Sequence, residues 1–551
     1  MKKKIFFFAI LTGMVFALTA CQLFNNGGGH GYSYRPIGSK SHEVVPPSGD
    51  LVAVEAGRTY GDYIKNNIYP ISSTPTTGKA KLLVIPVWFN DSSTFIDEGK
   101  KDNVRDDIKT AYFGKNTEAG WRSVKTYYEE ESHGKLTIDG KVSNWYLPNT
   151  SYQTYKSDSD HSLTTSLVKS ASDWYFNTDN PSDSRTNYDC DKDGYLDGVI
   201  LIYAAPDYSV DGGSASSNLW AYCYWVQNID AKNTIKPGAN VFFWASYDFM
   251  YGKNKAASRT GRNQYANGDT SNDVNVDAHT YIHEMGHMFG LEDYYDYSSK
   301  EFLPAGGFSM QDRNVGGHDP FSVFALGWGK AYIPITSAEI NLKPFVSSGE
   351  MIILSPNWNE YNSPFDEYLI LEYYTNEGLN YFDSVYPYMN GVKTYPTGSQ
   401  QSGIRLWHVD ARLLYKSSSN PFDTYSSTKV TNDPLISGNK VRGMFTNSYN
   451  DGIVGMESLS PLADRNPSND HYSDFKLLEL VRNSTTISYL KTKEVMNSLS
   501  LFKAGDTFSM SKYSRQFVNN GRLNKNNDSL GFTFKVNALN DGYASITVTK
   551  S

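Results

Sequence analysis

Cysteine is scarce in this chain, with three among 551 residues. The sequence therefore lacks the disulfide framework that stabilises many small secreted domains. Cys21 lies at the end of an N-terminal apolar segment, and the spacing of the other two, Cys190 and Cys223, leaves their pairing open. A chain of this length gains its stability from buried apolar surface instead, and we expect more than one domain.

Positive charge is also in short supply. The formal net charge is −8 and the sequence pI is about 5.7, with acidic and basic residues interspersed. We therefore expect neither nucleic acid nor an anionic membrane surface as a partner. Beyond residue 20 the sequence has no apolar run long enough to cross a bilayer.

The first residues are typical of an export signal. Lys2, Lys3 and Lys4 precede the apolar run Ile5–Ala20, which ends directly before Cys21. A small residue followed by cysteine resembles the lipobox of bacterial lipoproteins, in which that cysteine is acylated. The alternative is an ordinary cleaved signal peptide. We expect an exported protein, lipid-anchored through Cys21 on the outer face of a bacterial membrane, with residues 22–77 as a flexible tether or a pro-segment.

The coarse pattern of the remaining sequence predicts an α+β protein. Residues 78–330 alternate between buried strands and helices, with elements predicted at 81–89, 121–132, 135–142 and 199–204. Residues 331–498 contain short β-like runs between Gly, Pro, Asn and Ser. Residues 499–551 alternate like the C-terminal part of a β-sandwich. We expect a catalytic domain followed by regions that are mainly β.

The chemistry centres on the motif His283-Glu284-Met285-Gly286-His287. In a helix, residues four apart share one face, so both imidazoles can bind a single zinc ion. Glu284 projects beside them, where a metallopeptidase needs its general base. Such a short string also arises by chance, so the residues that follow it must support the prediction.

Those residues supply a candidate third ligand. Gly290 permits a left-handed turn at the end of the helix. Asp293 follows His287 by six residues, the position at which metzincin peptidases place their third ligand. Glu292 and Asp296 are alternative ligands. Met310 is predicted to form the Met-turn, an apolar floor beneath the metal.

The stretch 283–296 resembles the signature of the immune inhibitor A family of bacterial metallopeptidases. The segments 83–91, 123–136 and 317–328 resemble that catalytic domain in the same order, and weaker similarity continues through 367–372 and 403–410. The resemblance implies a zincin-like or metzincin-like domain and a secreted zinc endopeptidase, with zinc on His283, His287 and Asp293. Glu292 departs from the family, which commonly has proline there.

A second cluster of possible ligands lies in residues 189–198. Asp189, Asp191, Asp193 and Asp197, with the Tyr195 carbonyl, are spaced like the first half of a calcium loop. Position twelve is Ile200, which excludes an EF-hand, and the alternative is a solvated Asp-rich turn. Similar turns are familiar in the immune inhibitor A family. His408 and Asp410 share one strand face and are predicted to hydrogen-bond at a domain interface rather than to bind metal.

Two functions are compatible with these features. The first is a zinc endopeptidase that hydrolyses extracellular proteins, with zinc and a structural calcium as cofactors. The alternative is a surface adhesin or carbohydrate-binding protein with an idle metal site, and in either case the C-terminal β regions are candidates for contact with carbohydrate or a host surface. The donor that stabilises the oxyanion is left open among Tyr294, Tyr295 and His318.

Overall fold

The computed structural model describes the chain from residue 48 onward, with gaps. The described ranges are 48–67, 71–116, 118–119, 121–207, 218–227, 229–251, 276–295, 303–313, 315–385, 389–390, 393–394, 398–416, 428–445, 453–454, 476–488 and 496–551. The export signal and Cys21 lie outside these ranges. No helix in the described part is long and apolar enough to span a membrane.

The α-helices of the described residues are numbered in chain order. They are α1 Tyr60–Lys65, α2 Lys101–Phe113, α3 Val124–Glu131, α4 Gln153–Lys156, α5 Ser162–Trp174, α6 His279–Met288, α7 Pro320–Ala325, α8 Phe345–Ser348 and α9 Leu379–Val385. The helix predicted at 121–132 begins three residues later, at Val124. The reason is local, because the Ser123 side chain accepts a hydrogen bond from the Thr126 amide and caps α3.

The strands are numbered in the same way. They are β1 Leu51–Val54, β2 Gly78–Val87, β3 Leu136–Val142, β4 Val199–Tyr203, β5 Tyr222–Trp225, β6 Val241–Ser246, β7 Lys330–Pro334, β8 Ala338–Leu342, β9 Glu350–Leu354, β10 Glu367–Tyr374, β11 Met389–Asn390, β12 Lys393–Thr394, β13 Gly403–Asp410, β14 Leu413–Lys416, β15 Thr428–Thr431, β16 Lys440–Phe445, β17 Ile453–Val454, β18 Leu478–Val481, β19 Thr507–Phe508, β20 Phe532–Leu539 and β21 Ala544–Lys550.

The first half of the molecule is built on a five-stranded sheet in the order β3-β2-β4-β6-β5. Its strands are parallel except for β5, which pairs antiparallel with β6 at the edge. The central strand β4 is buried along its whole length, because helices cover both faces of the sheet. One apolar core contains α3 and α6, and a second, on the opposite face, contains α5. This is the mixed α/β arrangement expected of a peptidase catalytic domain.

The second half is mainly β. A six-stranded sheet has the order β1-β7-β9-β10-β13-β18, and a four-stranded sheet has the order β19-β20-β21-β8. Side chains from both sheets share one apolar core, which includes Leu371, Leu406 and Val548. The predicted C-terminal sandwich is not confirmed as an independent unit, since β21 pairs with β8, which comes from the region before residue 499. The smaller sheets are β15-β14-β16-β17 and β11-β12.

Residues 48–67 lie within the range for which a tether or pro-segment is predicted, and they form β1 and α1. Strand β1 pairs antiparallel with β7 along its four residues. Tyr60, Tyr63 and Ile64 of α1 are fully buried in the same core as the helix α6. These twenty residues are therefore part of the folded body and connect its two halves.

The two cysteines and the His408–Asp410 pair have defined surroundings. Cys190 and Cys223 are both free thiols, so they do not pair. His408 and Asp410 are fully buried on β13, but each has its own partners. His408 lies 2.9 Å from Glu367 and 3.2 Å from Glu479, whereas Asp410 accepts two hydrogen bonds from Arg412. This pattern is that of a buried polar network, and it leaves no free ligand atom on His408 for a metal.

Candidate metal centre and active site

Helix α6 carries the motif residues and is anchored by its apolar side chains. Tyr281, Ile282, Met285 and Met288 are buried against the five-stranded sheet. The Asp277 carboxylate, which precedes the N-cap residue Ala278, accepts a hydrogen bond from the His279 amide at 2.8 Å and so satisfies one amide of the first turn. With its apolar side chains fixed in the core, the helix presents His283 and His287 together on its remaining face.

Three side chains converge beside this helix. His283 Nε2 lies 3.1 Å from Asp293 Oδ1, and His287 Nε2 lies 3.4 Å from the same oxygen. The three candidate ligand atoms lie within 4.8 Å of one another. The side chains are 15%, 18% and 12% exposed, so the cluster is in partial contact with solvent.

The two imidazoles are held in the orientation that a metal requires. His283 Nδ1 lies 2.7 Å from the Met310 carbonyl, and His287 Nδ1 lies 2.7 Å from the Leu291 carbonyl. A carbonyl only accepts, so each Nδ1 carries the proton, which leaves the lone pair on Nε2. Backbone carbonyls commonly fix metal-binding histidines in this way.

Asp293 reaches the cluster because the chain reverses at the end of α6. Gly290 has a φ of 104°, a conformation in which a side chain would be strained. The Leu291 amide donates back to the Gly286 carbonyl, and the Tyr294 amide donates to the Gln311 carbonyl at 2.8 Å. The Tyr295 hydroxyl donates to Asp293 Oδ2 at 2.9 Å, which turns Oδ1 toward the two imidazoles.

The electrostatics of the cluster favour a cation. Burial lowers the pKa of His287, but the Asp293 carboxylate more than offsets this and the net pKa is raised to about 10. Burial raises the pKa of Asp293, yet the neighbouring imidazoles bring it well below its usual range. The site thus stabilises positive charge next to Asp293, and a bound metal ion would supply that charge.

Glu284 lies on the same helix, next to the cluster and against strand β5. Burial raises the pKa of Glu284, while the two histidines lower it in part. The main chain of Cys223 in β5 also lowers the pKa of this carboxylate in part. A carboxylate with a raised pKa is better suited to accept and then release a proton near neutral pH.

The structure separates the remaining candidates. Glu292 is not part of the three-residue cluster, and burial raises its pKa to about 7. Asp296 lies outside the described residues. Met310 is fully buried, and its main-chain carbonyl accepts the hydrogen bond from His283. Tyr294 is buried and hydrogen-bonds to Ser322.

Other groups beside the site were not predicted, namely the Leu291 carbonyl, the Cys223 main chain and Gln311. The first two are main-chain groups, to which no sequence motif points. Gln311 could have been predicted from the sequence, because it directly follows Met310, the predicted Met-turn residue.

The predicted calcium loop also has a compact geometry. Ligand atoms of Asp189, Asp191 and Asp197 lie within 4.8 Å of one another. Gly194 has a φ of 91°, which allows the tight turn. Asp193 is not part of this cluster, and its carboxylate accepts a hydrogen bond from the Tyr195 amide at 2.9 Å. Burial raises the pKa of Asp197 to about 7, so the loop holds carboxylates whose charge is poorly compensated.

The fold and this site together define the class of protein, a metallopeptidase. Residues 76–309 match the family model described as immune inhibitor A peptidase M6, catalytic domain. The matched range includes helix α6 and Asp293, so the resemblance inferred from the motif is confirmed over this part of the chain. No curated protein matches the chain.

Proposed function

We propose that the protein is an exported, lipid-anchored zinc endopeptidase that hydrolyses extracellular proteins. The observation that carries this proposal is the convergence of His283 Nε2, His287 Nε2 and Asp293 Oδ1. Zinc sites with two histidines and one carboxylate leave a position open for catalysis. Zinc–ligand distances of about 2.0–2.1 Å in a tetrahedron put neighbouring ligand atoms about 3.3 Å apart, close to the spacing found here.

The chain's own groups supply the rest of the chemistry. A zinc ion bound by the three side chains would act as a Lewis acid on the scissile carbonyl. Glu284 takes a proton from the attacking water and passes it to the leaving amine nitrogen. In the described structure, strand β5 lies at the edge of its sheet and pairs only with β6. The main-chain groups on its other side can pair with an extended peptide. A substrate strand aligned there lies beside Glu284, because the main chain of Cys223 in β5 is close enough to lower the pKa of that carboxylate.

The cellular location and the second metal belong to the same proposal. Export and anchoring rest on Lys2, Lys3, Lys4 and Cys21. A structural calcium ion is proposed at Asp189, Asp191 and Asp197, where Asp189 Oδ1 is buried with no hydrogen-bond partner among the described residues. The alternative, an adhesin with an idle site, gives no reason for the orientation of Glu284 toward the cluster.

The central test is Glu284→Gln. The substitution keeps the shape of the side chain and removes the proton acceptor, so peptide turnover should fall by about 10²- to 10⁴-fold. Zinc content, measured by elemental analysis, should stay at one ion per chain. Glu129→Gln is the matched control, since Glu129 is a partly exposed residue of α3 that pairs with Lys125. Undiminished turnover in Glu284→Gln would refute the proposed mechanism.

The same elemental analysis tests the metals separately. One zinc and one calcium per chain are expected in the wild-type protein. Asp191→Asn should remove the calcium and leave the zinc. A protein that contains zinc but no calcium would refute the calcium site alone, whereas a protein without zinc that cleaves no peptide would favour the adhesin.

A further inference from the structure

Strand β5 presents different side chains to the two faces of the first sheet. Cys223 packs against the core that contains α6, whereas Tyr222 and Tyr224 pack on the opposite face, with the core that contains α5. The main chain of Cys223 lowers the pKa of the Glu284 carboxylate in part, so the two residues are neighbours. The candidate metal centre therefore lies on one face of this edge strand, level with Cys223, and the two tyrosines lie on the other face.

The face opposite the metal centre carries a group of aromatic rings. The ring centroid of His161 lies 4.6 Å from that of Tyr222 and 4.4 Å from that of Tyr224. The ring of Trp220 lies 6.5 Å from Tyr222, centroid to centroid, and the Trp220 side chain is exposed. These four side chains are called the aromatic face below. A rigid aromatic surface thus reaches solvent next to an edge strand, and exposed apolar surface of this kind marks binding sites.

His161 supports the two tyrosine rings from a strained backbone conformation. Its φ is 58°, in the left-handed region that residues other than glycine rarely adopt. The Asp158 carboxylate accepts hydrogen bonds from the Leu163 and Thr164 amides and so fixes the start of α5 directly after His161. Strain of this kind persists where the surrounding structure imposes it, and it is concentrated at ligand-binding sites. The chain keeps an unfavourable conformation at the residue whose ring packs against both tyrosines.

An extended peptide paired with the free side of β5 would meet both faces of the sheet. Side chains of a strand alternate between the faces, and residues directly opposite each other share a face. Strand β6 follows this rule, because Phe243 pairs with Cys223 on the α6 side and Phe242 pairs with Tyr224 on the other. A substrate residue level with Cys223 therefore lies on the metal side, and its two neighbours lie level with Tyr222 and Tyr224, on the side of the aromatic face.

Building on the proposed function, we propose that the aromatic face is a specificity surface of the peptidase. It selects extended peptide segments in which a large apolar or aromatic side chain is adjacent to the residue at the metal centre. Flat apolar rings match this surface, because aromatic side chains pack edge to face and offset face to face with one another. A charged side chain in that place would lose hydration and gain no ion pair from the four rings. In this mode of binding the main chain supplies affinity and the alternate side chains supply specificity.

The first test compares peptide selection by the wild type and by Trp220→Ala. Both zinc-loaded proteins digest the same mixed peptide library, and mass spectrometry of the products gives the preference at each position. The wild type should prefer phenylalanine, tyrosine, tryptophan or leucine at a position close to the scissile bond. In Trp220→Ala this preference should fall by about 2- to 12-fold in kcat/KM, the effect of losing one aromatic contact.

Binding without turnover separates selection from catalysis. In the Glu284→Gln background, fluorescence anisotropy gives the Kd of two peptides that differ only in phenylalanine or alanine at the selected position. The phenylalanine peptide should bind more tightly, and adding Trp220→Ala should reduce the ratio of the two Kd values by about 2- to 12-fold. Zinc content should not change, because the aromatic face and the candidate ligands lie on opposite faces of the sheet.

The matched control is Leu147→Ala, which also truncates an exposed apolar side chain. Leu147 is 49% exposed, against 42% for Trp220. It follows Tyr146, which bridges to Val87 at the end of β2, and β4 and β6 separate β2 from β5. The ratio of the two Kd values should therefore equal that of the protein with an intact Leu147.

A second variant, His161→Asn, removes a ring of the aromatic face without adding backbone strain, because asparagine tolerates the left-handed conformation. The preference should fall as it does in Trp220→Ala. An unchanged ratio of Kd values in both variants would overturn the proposal. A wild type that cleaves peptides without any apolar preference would also overturn it and leave the proposed function intact. A wild type that cleaves no peptide would instead refute the proposed function, and this specificity with it.

Discussion

At the scale of single residues, the candidate ligands differ from their neighbours in orientation rather than in type. Asp293 and Glu292 are adjacent, partly buried carboxylates, and of the two only Asp293 belongs to the cluster with the two imidazoles. Burial raises the pKa of Tyr60 and Tyr63 most, and the Glu292 carboxylate raises it further. Glu292 therefore lies near helix α1. Two acidic side chains that are adjacent in the sequence thus lie in different surroundings.

This difference predicts opposite results for two similar substitutions. Asp293→Asn removes the anionic ligand and should weaken zinc binding by more than the roughly 100-fold that an outer residue contributes. Glu292→Gln removes a partly buried carboxyl that is not part of the three-residue cluster, so zinc binding should persist. Chelator competition on both variants distinguishes the assignments, and loss of zinc in Glu292→Gln alone would transfer the ligand role to Glu292.

At the scale of elements, the site depends on how α6 ends and on what packs against that end. Gly290 combines a positive φ with close contact to α1, since a Cβ there would lie 2.5 Å from Ile64 Cδ1. Helix α1 therefore supports the turn that delivers Asp293. Gly134 offers a comparison, because it has a φ of 76° with no atom within 4 Å of its Cβ position.

We expect Gly290→Ala to destabilise the protein more than Gly134→Ala does. Gly134→Ala has only the backbone strain of a left-handed conformation, about 1–2 kcal/mol. Gly290→Ala adds the steric conflict with Ile64 and should also weaken zinc binding, because the Asp293 loop must shift. Chemical denaturation gives the free energies of unfolding, and equal losses in the two variants would show that α1 does not constrain the turn.

At the scale of the whole molecule, the N-terminal segment and the C-terminal strands join regions that are distant in sequence. Strand β1 extends the sheet of the second half, while α1 packs in the core of the first. Strand β21 pairs with β8, so removal of residues after 498 would expose the core beneath both sheets. The β-rich half is thus a structural partner of the catalytic half.

A chain that begins at Ile71 should be much less stable than one that begins at Ser48. Burial of Tyr60, Tyr63 and Ile64 contributes about 1.5–3 kcal/mol for each side chain, a large part of an ordinary stability of about 5–15 kcal/mol. Thermal unfolding and zinc content of both chains test this expectation. An Ile71 chain that keeps its zinc and its unfolding temperature would support a removable pro-segment instead.

Much of the catalytic half was predictable from local pattern. The continuous apolar runs of β2 and β4 identify buried strands, and the spacing of His283 and His287 places both on one helix face. The β-rich half was predicted only in outline. Its sheets combine strands from separate regions, such as β8 with β21, and alternating side chains do not specify which strands pair.

Local spacing was enough to predict the helix, its two histidines, Glu284 and the Asp-rich turn, because these features depend on residues a few positions apart. Three contacts became known only from the folded chain: Asp293 rather than Glu292 faces the imidazoles, β5 lies next to Glu284, and Gln311 occupies the space at Gly286. These contacts join segments far apart in the chain, and their geometry follows from how the shared core packs.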